Sequence, residues 1–323
     1  RRAFYAAIQL NPFVSPRYVY IGRGRYLDLR DRCTVRLGPN FIIIGAQRSA
    51  TTSLHRYLDF HPEVFMSKPY KEPVLFIEDL PGKTEWQEYF DWRGRPGRNR
   101  DEQIKCAVVQ GYMGQPLLGE ASTWYTMGYY SRDYAIPNKI RDFDPDMKLV
   151  YLVRHPLERI VSLYLCGQRH QHYGSLDRFV EKDTHALLNS RYWFQLEEYL
   201  RVFPAEQIKV VVFDDLLEQP QSVLNDICAF LGVDPFEQAP PFEVHNAADN
   251  KGAVPRSALR FSRKTHAKLV ETLRPELEAL SKFIASDLSH WDLSAARWCR
   301  PDSDSKKTNA AKQPISDLTA DRG

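Results

Sequence analysis

The residues of this 323-residue chain best suited to chemistry stand in two short runs. In the first, FIIIGAQRSATTSLHRYL (41–58), four strongly apolar residues lead into Gly45, then Arg48, Ser49, Ala50, Thr51, Thr52 and Ser53, then a helical pattern. A buried strand that turns sharply into a helix aims several backbone N–H groups at one spot, and the helix dipole adds positive potential there. Such a turn suits a phosphate or another tetrahedral oxyanion. In the second run, KLVYLVRHPLERIVSLYLC (148–166), another apolar stretch ends at Arg154, and Ser162 follows on the next helix. Arg154 offers a planar fork to a phosphate and Ser162 one hydroxyl donor. Pro156 sits near the start of that helix, where its missing N–H costs little. Arg159 reads better as a salt-bridged surface residue than as a ligand.

What the first loop lacks narrows the chemistry. A nucleotide-hydrolysing loop reads Gly, four residues, then Gly-Lys-Ser/Thr. Here Ala50 replaces the second glycine and Thr51 the lysine, leaving Arg48 as the loop's only cation. ATP or GTP hydrolysis is therefore poorly supported, and a kinase-like phosphotransferase is a rival reading only.

The elements that must position these residues alternate. Strand-like runs fall at Phe41–Ile44, Lys148–Val153 and Ile208–Phe213, with a shorter one near Gly119–Glu120. Helical patterns cover Thr51–Phe60, Glu158–Gln168, Arg191–Val202, Pro220–Leu231 and about Ser257–Ile284. Strands separated by helices predict an α/β fold, a central mostly parallel sheet flanked by helices on both faces. Ligands in such folds gather at the carboxyl ends of the strands, which sets the Gly45 loop, Glu120, Arg154 and Asp214 on one edge. The expected organisation is an N-terminal extension (1–39) packed on the core, a main domain (40–298) and a polar, disordered tail (299–323).

Taken together, the two runs resemble the 5′-phosphosulfate loop and the 3′-phosphate motif of sulfotransferases, which use 3′-phosphoadenosine 5′-phosphosulfate (PAPS) and release its 3′,5′-bisphosphate, PAP. Further segments match in order. Lys71-Glu72-Pro73, ahead of Leu75-Phe76, resembles a segment of the carbohydrate sulfotransferases related to the heparan sulfate enzymes, in which the glutamate is the catalytic base. GEASTWY (119–125) resembles the segment lining the acceptor cleft, and VVVFDDLLEQPQSVLNDICAFLGV (210–233) the family's strand, acidic loop and helix. HNAADNKGAVPRS (245–257) stands where the family closes a lysine-glycine loop over the nucleotide.

The resemblance implies a P-loop NTPase-like sulfotransferase fold and a set of site residues. Glu72 and Arg48 are catalytic. Arg48, Ser49, Ala50, Thr51, Thr52, Ser53, Arg154, Ser162, Lys251 and Gly252 hold the co-substrate. Lys71, Glu120 and Trp124 face the acceptor, although Glu120 reads equally well as an anchor for its loop. The acceptor is a hydroxyl (or amine) compound, carbohydrate favoured, and no metal is required. Three departures stand out. Arg48 occupies a position where many relatives have lysine; Ala50 replaces a glycine, which asks the backbone to keep φ below zero there; and Cys166 stands where many relatives carry histidine. A non-enzymatic member that binds nucleotide or anionic glycan is the second rival, disfavoured because both phosphate motifs and the base are intact.

Composition sets outer bounds. Lys and Arg total 44 against 41 Asp and Glu, a net charge of +3, which does not argue for nucleic acid. The one dense basic cluster, Arg93–Arg100, reads as an exposed Gly/Pro loop. Trp86, Trp92, Trp124 and Tyr125 suit stacking on sugar rings. Five widely spaced cysteines form no metal-type pair; they favour a reducing compartment and leave one or two disulfides open, with Cys228 on a buried helical stripe. No apolar run approaches the roughly 20 residues that span a bilayer. The expected compartment is the cytoplasm for a bacterial protein, or the Golgi lumen if the sequence is a fragment lacking a signal anchor. Oligomeric state is not readable. His55, His61 and His155 read as capping or packing residues rather than ligands.

Overall fold

The computed structural model describes residues 39–68, 71–77, 115–166, 172–240 and 256–300, with the backbone of two short strands further upstream. Those two, β1 (Tyr18–Tyr20) and β2 (Tyr26–Asp28), pair antiparallel as a separate hairpin. The main sheet has five strands: β3 (Phe41–Gly45), β4 (Val64–Met66), β5 (Leu117–Glu120), β6 (Lys148–Val153) and β7 (Ile208–Val212). Their spatial order is β4-β5-β3-β6-β7, and every pairing is parallel.

Alternation along each strand splits the core into two layers. Ile42 and Ile44 of β3, with Leu149, Tyr151 and Val153 of β6, face one side; Phe41 and Ile43, with Val150 and Leu152, face the other. All of them are fully buried. Burial on both faces explains why these strands read as unbroken apolar runs rather than as alternating ones. The first layer is covered by α4 (Pro156–Tyr164), α7 (Tyr192–Leu200) and the long α10 (Arg263–Ile284). The second is covered by α1 (Thr51–Asp59) and α9 (Pro220–Leu231), through Leu54, Tyr57, Leu58, Leu224, Ile227 and Leu231. At about 1.5–3 kcal/mol for each large apolar side chain, the two layers carry most of the stabilisation.

Between these lie α2 (Tyr130–Asp133), α3 (Ile136–Phe143), α5 (Leu176–Lys182), α6 (Thr184–Leu188), α8 (Phe213–Glu218) and, near the end, α11 (Ala295–Trp298). β3, β5, β6 and β7 agree with the sequence to within two residues, and α9 falls where expected; β4, three residues long, was not expected. Three boundaries differ. The helix expected from Glu158 begins at Pro156, because His155 accepts a hydrogen bond from the Glu158 N–H and caps it. The helix expected from Ser257 begins at Arg263, because the Ser262 side chain accepts from the Thr265 N–H; Arg256–Ala258 form a separate 3₁₀ turn. The acidic stretch after β7 is helical, not a loop.

Cys299 and Arg300, expected in a polar tail, are structured. Cys299 bridges to Phe261, and Arg300 donates its N–H to the Phe261 carbonyl and pairs with Asp177, so both belong to the folded body. Residues from 301 onward, most of the N-terminal extension, Arg93–Arg100, Trp86, Trp92, Lys251 and Gly252 lie outside the described residues. No helix among the described residues is long and apolar enough to cross a membrane.

Candidate functional site

Parallel pairing sends the carboxyl ends of β3, β5 and β6 to one edge of the sheet, and most of the described residues singled out in the sequence lie on the segments that leave it. The chain leaves β3 at Gly45, turns through residues 46–50 and enters α1 at Thr51. Gly45 is required by a close approach: a Cβ there would run into the Thr126 hydroxyl, which donates to the Ile44 carbonyl at 2.9 Å. Two residues of the turn are left-handed, Arg48 at φ 70° and Ala50 at φ 67°. The expectation that Ala50 keeps φ below zero is therefore wrong. Ala50 is the N-cap of α1 and holds the left-handed conformation that a glycine adopts without a Cβ penalty, so the turn keeps its geometry at a cost in strain.

That geometry carries Arg48 across to the second motif. Its Nε donates to Ser162 Oγ at 3.1 Å and its Nη1 lies 3.6 Å from Cys166 Sγ. Two segments more than a hundred residues apart thus share one cation. Ser49, Thr51 and Ser53 are buried beneath the turn. Ser49 Oγ completes no hydrogen bond among the described residues; the Tyr192 hydroxyl close to it donates to the Arg154 carbonyl at 2.7 Å.

At the end of β6, Arg154 lies on the Phe213 ring, 4.5 Å from its centroid, with Nη2 on Glu158 Oε2 at 3.0 Å. Arg297 of α11 takes the other Glu158 oxygen at 2.9 Å. Arg154 Nε is buried and has no hydrogen-bond partner among the described residues. The Arg154 hydrogen bond, the charges of Arg154, His155 and Arg297, and their proximity outweigh the desolvation that acts first on Glu158, and they hold its carboxyl below the usual range.

Arg159 corrects the sequence expectation outright. It is completely buried, with Nε on Ser190 Oγ at 2.6 Å and Nη2 on the carbonyls of Ala186 and His185. Burial lowers its pKa to about 10. Its helix position faces the first core layer rather than solvent, and the spacing of charged residues along 154–162 gave no hint of this. His155 and His61 do cap and pack as expected: His61 Nδ1 accepts from the Glu63 N–H, and His155 packs at a tilt against Trp298. Burial lowers the His55 pKa to about 4.

The third corner comes from residues 71–77 and the segment after β5. Lys71 Nζ donates to Glu72 Oε1 and to the Ala121 carbonyl, each at 2.8 Å. Glu72 also accepts from the Thr123 N–H at 3.3 Å and from its hydroxyl at 3.2 Å. The carboxylate is about one-third exposed (32%), open enough to meet a solute. Trp124 is half-buried and tilted against Tyr130. Thr123, Gln47 and Asn189 make bonds at this edge that no local sequence pattern announced.

Glu120 points inward. It is fully buried and neither carboxylate oxygen completes a hydrogen bond; the Ser122 and Tyr125 hydroxyls lie close enough only to ease its ionisation slightly. Desolvation dominates and raises its pKa from 4.5 to about 7, with Glu72 adding to the rise and Lys71 opposing it. An acid with a raised folded pKa binds its proton more tightly in the native state. Stability therefore falls as pH rises from about 4.5 to about 7, by roughly 3 kcal/mol in all. Glu120→Gln removes that slope. Urea titrations at pH 4.5 and pH 8 should show the variant gaining on the wild-type protein by this order of magnitude at the higher pH; parallel curves would mean that Glu120 reaches water in the native state.

A parallel α/β sheet, with a strand–turn–helix loop whose arginine is bonded to the serine of a second strand–helix run at the carboxyl edge, has the architecture of a P-loop-like group-transfer domain. The chain belongs to the sulfotransferase domain family, whose model matches residues 38–240. Among curated relatives, it is 24% identical to the bifunctional heparan sulfate N-deacetylase/N-sulfotransferase 1 of Caenorhabditis elegans, over 73% of this chain and 26% of that protein. It is 25% identical to carbohydrate sulfotransferase 15 of Mus musculus, over 63% of this chain and 45% of that protein. The chain thus spans about a quarter and somewhat under half of these relatives' lengths. The crystal structure of a sulfotransferase from Alicyclobacillus acidocaldarius superposes with a TM-score of 0.55 at 26% identity, covering 79% of this chain and 99% of that one. The architecture is the P-loop NTPase-like fold of the sulfotransferases.

Proposed function

We propose that the protein transfers a sulfuryl group from PAPS to a hydroxyl or amine of a carbohydrate acceptor, with Glu72 as the base. The observation that carries this reading is the Arg48–Ser162 hydrogen bond, which joins the two motifs expected to hold the two ends of one bisphosphorylated nucleotide. Two buried, unpartnered donors, Ser49 Oγ in the turn and Arg154 Nε at the end of β6, support it, since a buried polar group without a partner is costly unless a ligand completes it.

When bound, PAPS supplies an activated sulfuryl group and a phosphate leaving group. The turn's N–H groups and the hydroxyls of Ser49, Thr51, Thr52 and Ser53 hold the 5′-phosphate end, and Arg154 and Ser162 the 3′-phosphate. Lys251 and Gly252, outside the described residues, are assigned to the nucleotide end by the sequence resemblance alone. Arg48 lies against Ser162 and stabilises charge that grows on the leaving oxygen; a guanidinium does not surrender its proton, so its part is electrostatic. Glu72, exposed enough to reach the acceptor, takes the O–H or N–H proton as the new bond to sulfur forms and the bond from sulfur to the phosphate oxygen breaks. Lys71 and Thr123 fix the orientation of that carboxylate. Trp124 and Lys71 present a surface to a sugar ring and its anionic substituents.

Titration calorimetry with PAP, AMP and Mg–ATP tests the donor assignment. The expected result is micromolar binding of PAP, far weaker binding of AMP and Mg–ATP, and a loss of about 100-fold for PAP in Arg154→Ala, from the charge-assisted bonds of a buried guanidinium. Equal binding of PAP and AMP would sink the assignment.

A further inference from the structure

The turn that carries Arg48 is tied to the acceptor side of the site by one buried side chain, Asn189. It lies immediately after α6 and is completely buried. Its Nδ2 donates to Gln47 Oε1 at 3.2 Å, and its Oδ1 accepts the Gly128 N–H at 2.8 Å. Gln47 is the neighbour of Arg48 in the turn. Gly128 follows the 3₁₀ turn Thr123–Thr126, the stretch that holds Glu72 through Thr123. Each end of the bridge is itself constrained. Gly128 adopts φ 62° against the His185 ring, and its carbonyl accepts from Gln195 Nε2 at 2.5 Å; Gln195 in turn accepts from Ser131 Oγ. The bridged amide thus rests on a connected set of buried polar groups. Such sets specify one arrangement when fully satisfied.

We infer that Asn189 is a positioning residue that couples the donor turn to the acceptor segment and so fixes the placement of Arg48 relative to Glu72. The inference rests on the donor-site reading above for its effect on catalysis, but not for the bridge. Asn189 touches no reacting atom. Its two bonds use the nitrogen and oxygen ends of one planar amide, so a shift of residues 127–129 is transmitted to Gln47, and the reverse. An amide supplies a donor and an acceptor at fixed separation, which an aliphatic side chain or an ionised carboxylate does not.

Amide exchange in the nucleotide-free protein tests the bridge, and PAP affinity tests its consequence. Gln47 is half-buried, so Gln47→Leu should fold. Its expected signature is exchange at least about tenfold faster in the peptide spanning 127–129, across the bridge from the mutation, with the β6 peptide unchanged. PAP binding should weaken by about tenfold, and the double variant with Asn189→Ala should lose no more than the worse single variant, the mark of two residues acting through one bond. Unaltered exchange at 127–129, or losses that multiply in the double variant, would overturn the coupling. If Asn189→Ala does not fold, the exchange result for Gln47→Leu decides alone. A wild-type protein that fails to bind PAP would instead overturn the donor reading, while the exchange data still judge the bridge.

Discussion

Arg48→Ala is expected to lower kcat/KM for sulfuryl transfer by about 10³-fold or more while weakening PAP binding far less. The asymmetry follows from where the guanidinium sits. It lies in the turn between β3 and α1, bonded to Ser162 of the second run, and on the proposed reading meets the most negative charge when the leaving oxygen develops it. A donor aimed at developing charge in a site of low dielectric is worth about 10²–10³ in rate when neutral, and more when charged. Arg48→Lys keeps the charge but loses the fork that holds Ser162 with one nitrogen and approaches Cys166 with another, so an intermediate loss of about tenfold is expected. Single-turnover rates with labelled PAPS separate the two effects. A rate within tenfold of wild type for Arg48→Ala would remove Arg48 from the catalytic role.

Glu72→Gln is expected to cost about 10²–10⁴ in kcat, with PAP affinity unchanged. The substitution is chosen because the carboxylate has a second occupation. It holds Lys71 at 2.8 Å and the Thr123 N–H at 3.3 Å, so removing the side chain would disturb the acceptor segment whatever its chemical role. The amide of glutamine keeps an acceptor for Thr123 and differs chiefly in being unable to take a proton. A small effect in Glu72→Gln beside a large one in Glu72→Ala would assign Glu72 to holding the segment, and would move the search for the base elsewhere on this edge. Glu120 is no substitute: it is sealed from solvent behind the same segment.

How much of this was legible in the chain depends on what kind of interaction placed each residue. β3, β5, β6 and β7, the two strand–turn–helix runs and the Lys71–Glu72 pair were readable because each is a local device: an apolar run, a glycine turn, a capped helix. The short β4 (Val64–Met66) was not read, and the direct Arg48–Ser162 bond was not foreseen, since the two residues were assigned to opposite ends of one ligand. Arg159 and Asn189 were not readable. Both are polar residues buried by packing of helices distant in sequence, and nothing in HPLERIVSL or ALLNSRYW distinguishes them from solvent-facing neighbours. The error at Ala50 has another cause. Alanine was read by its intrinsic preference for negative φ, whereas the strand above and the helix below dictate the sign at that point of the turn. Glu120 was readable as a carboxylate at a strand end, but whether it faced in or out depended on how Thr123–Thr126 folds back over β3.

The strand order has a bearing on how the molecule comes into being. β3, the first strand of the main sheet to be synthesised, ends in the middle of it, between β5 and β6, which emerge only after more than seventy and a hundred further residues. A nascent chain therefore displays an apolar strand with two open edges for the time it takes to make both partners. Pairings this remote in sequence close slowly and leave the strand exposed to wrong partners meanwhile. Refolding from denaturant should accordingly lose yield to aggregation as protein concentration rises, and the oxyanion turn at Gly45 should become competent only in the final, sheet-completing step.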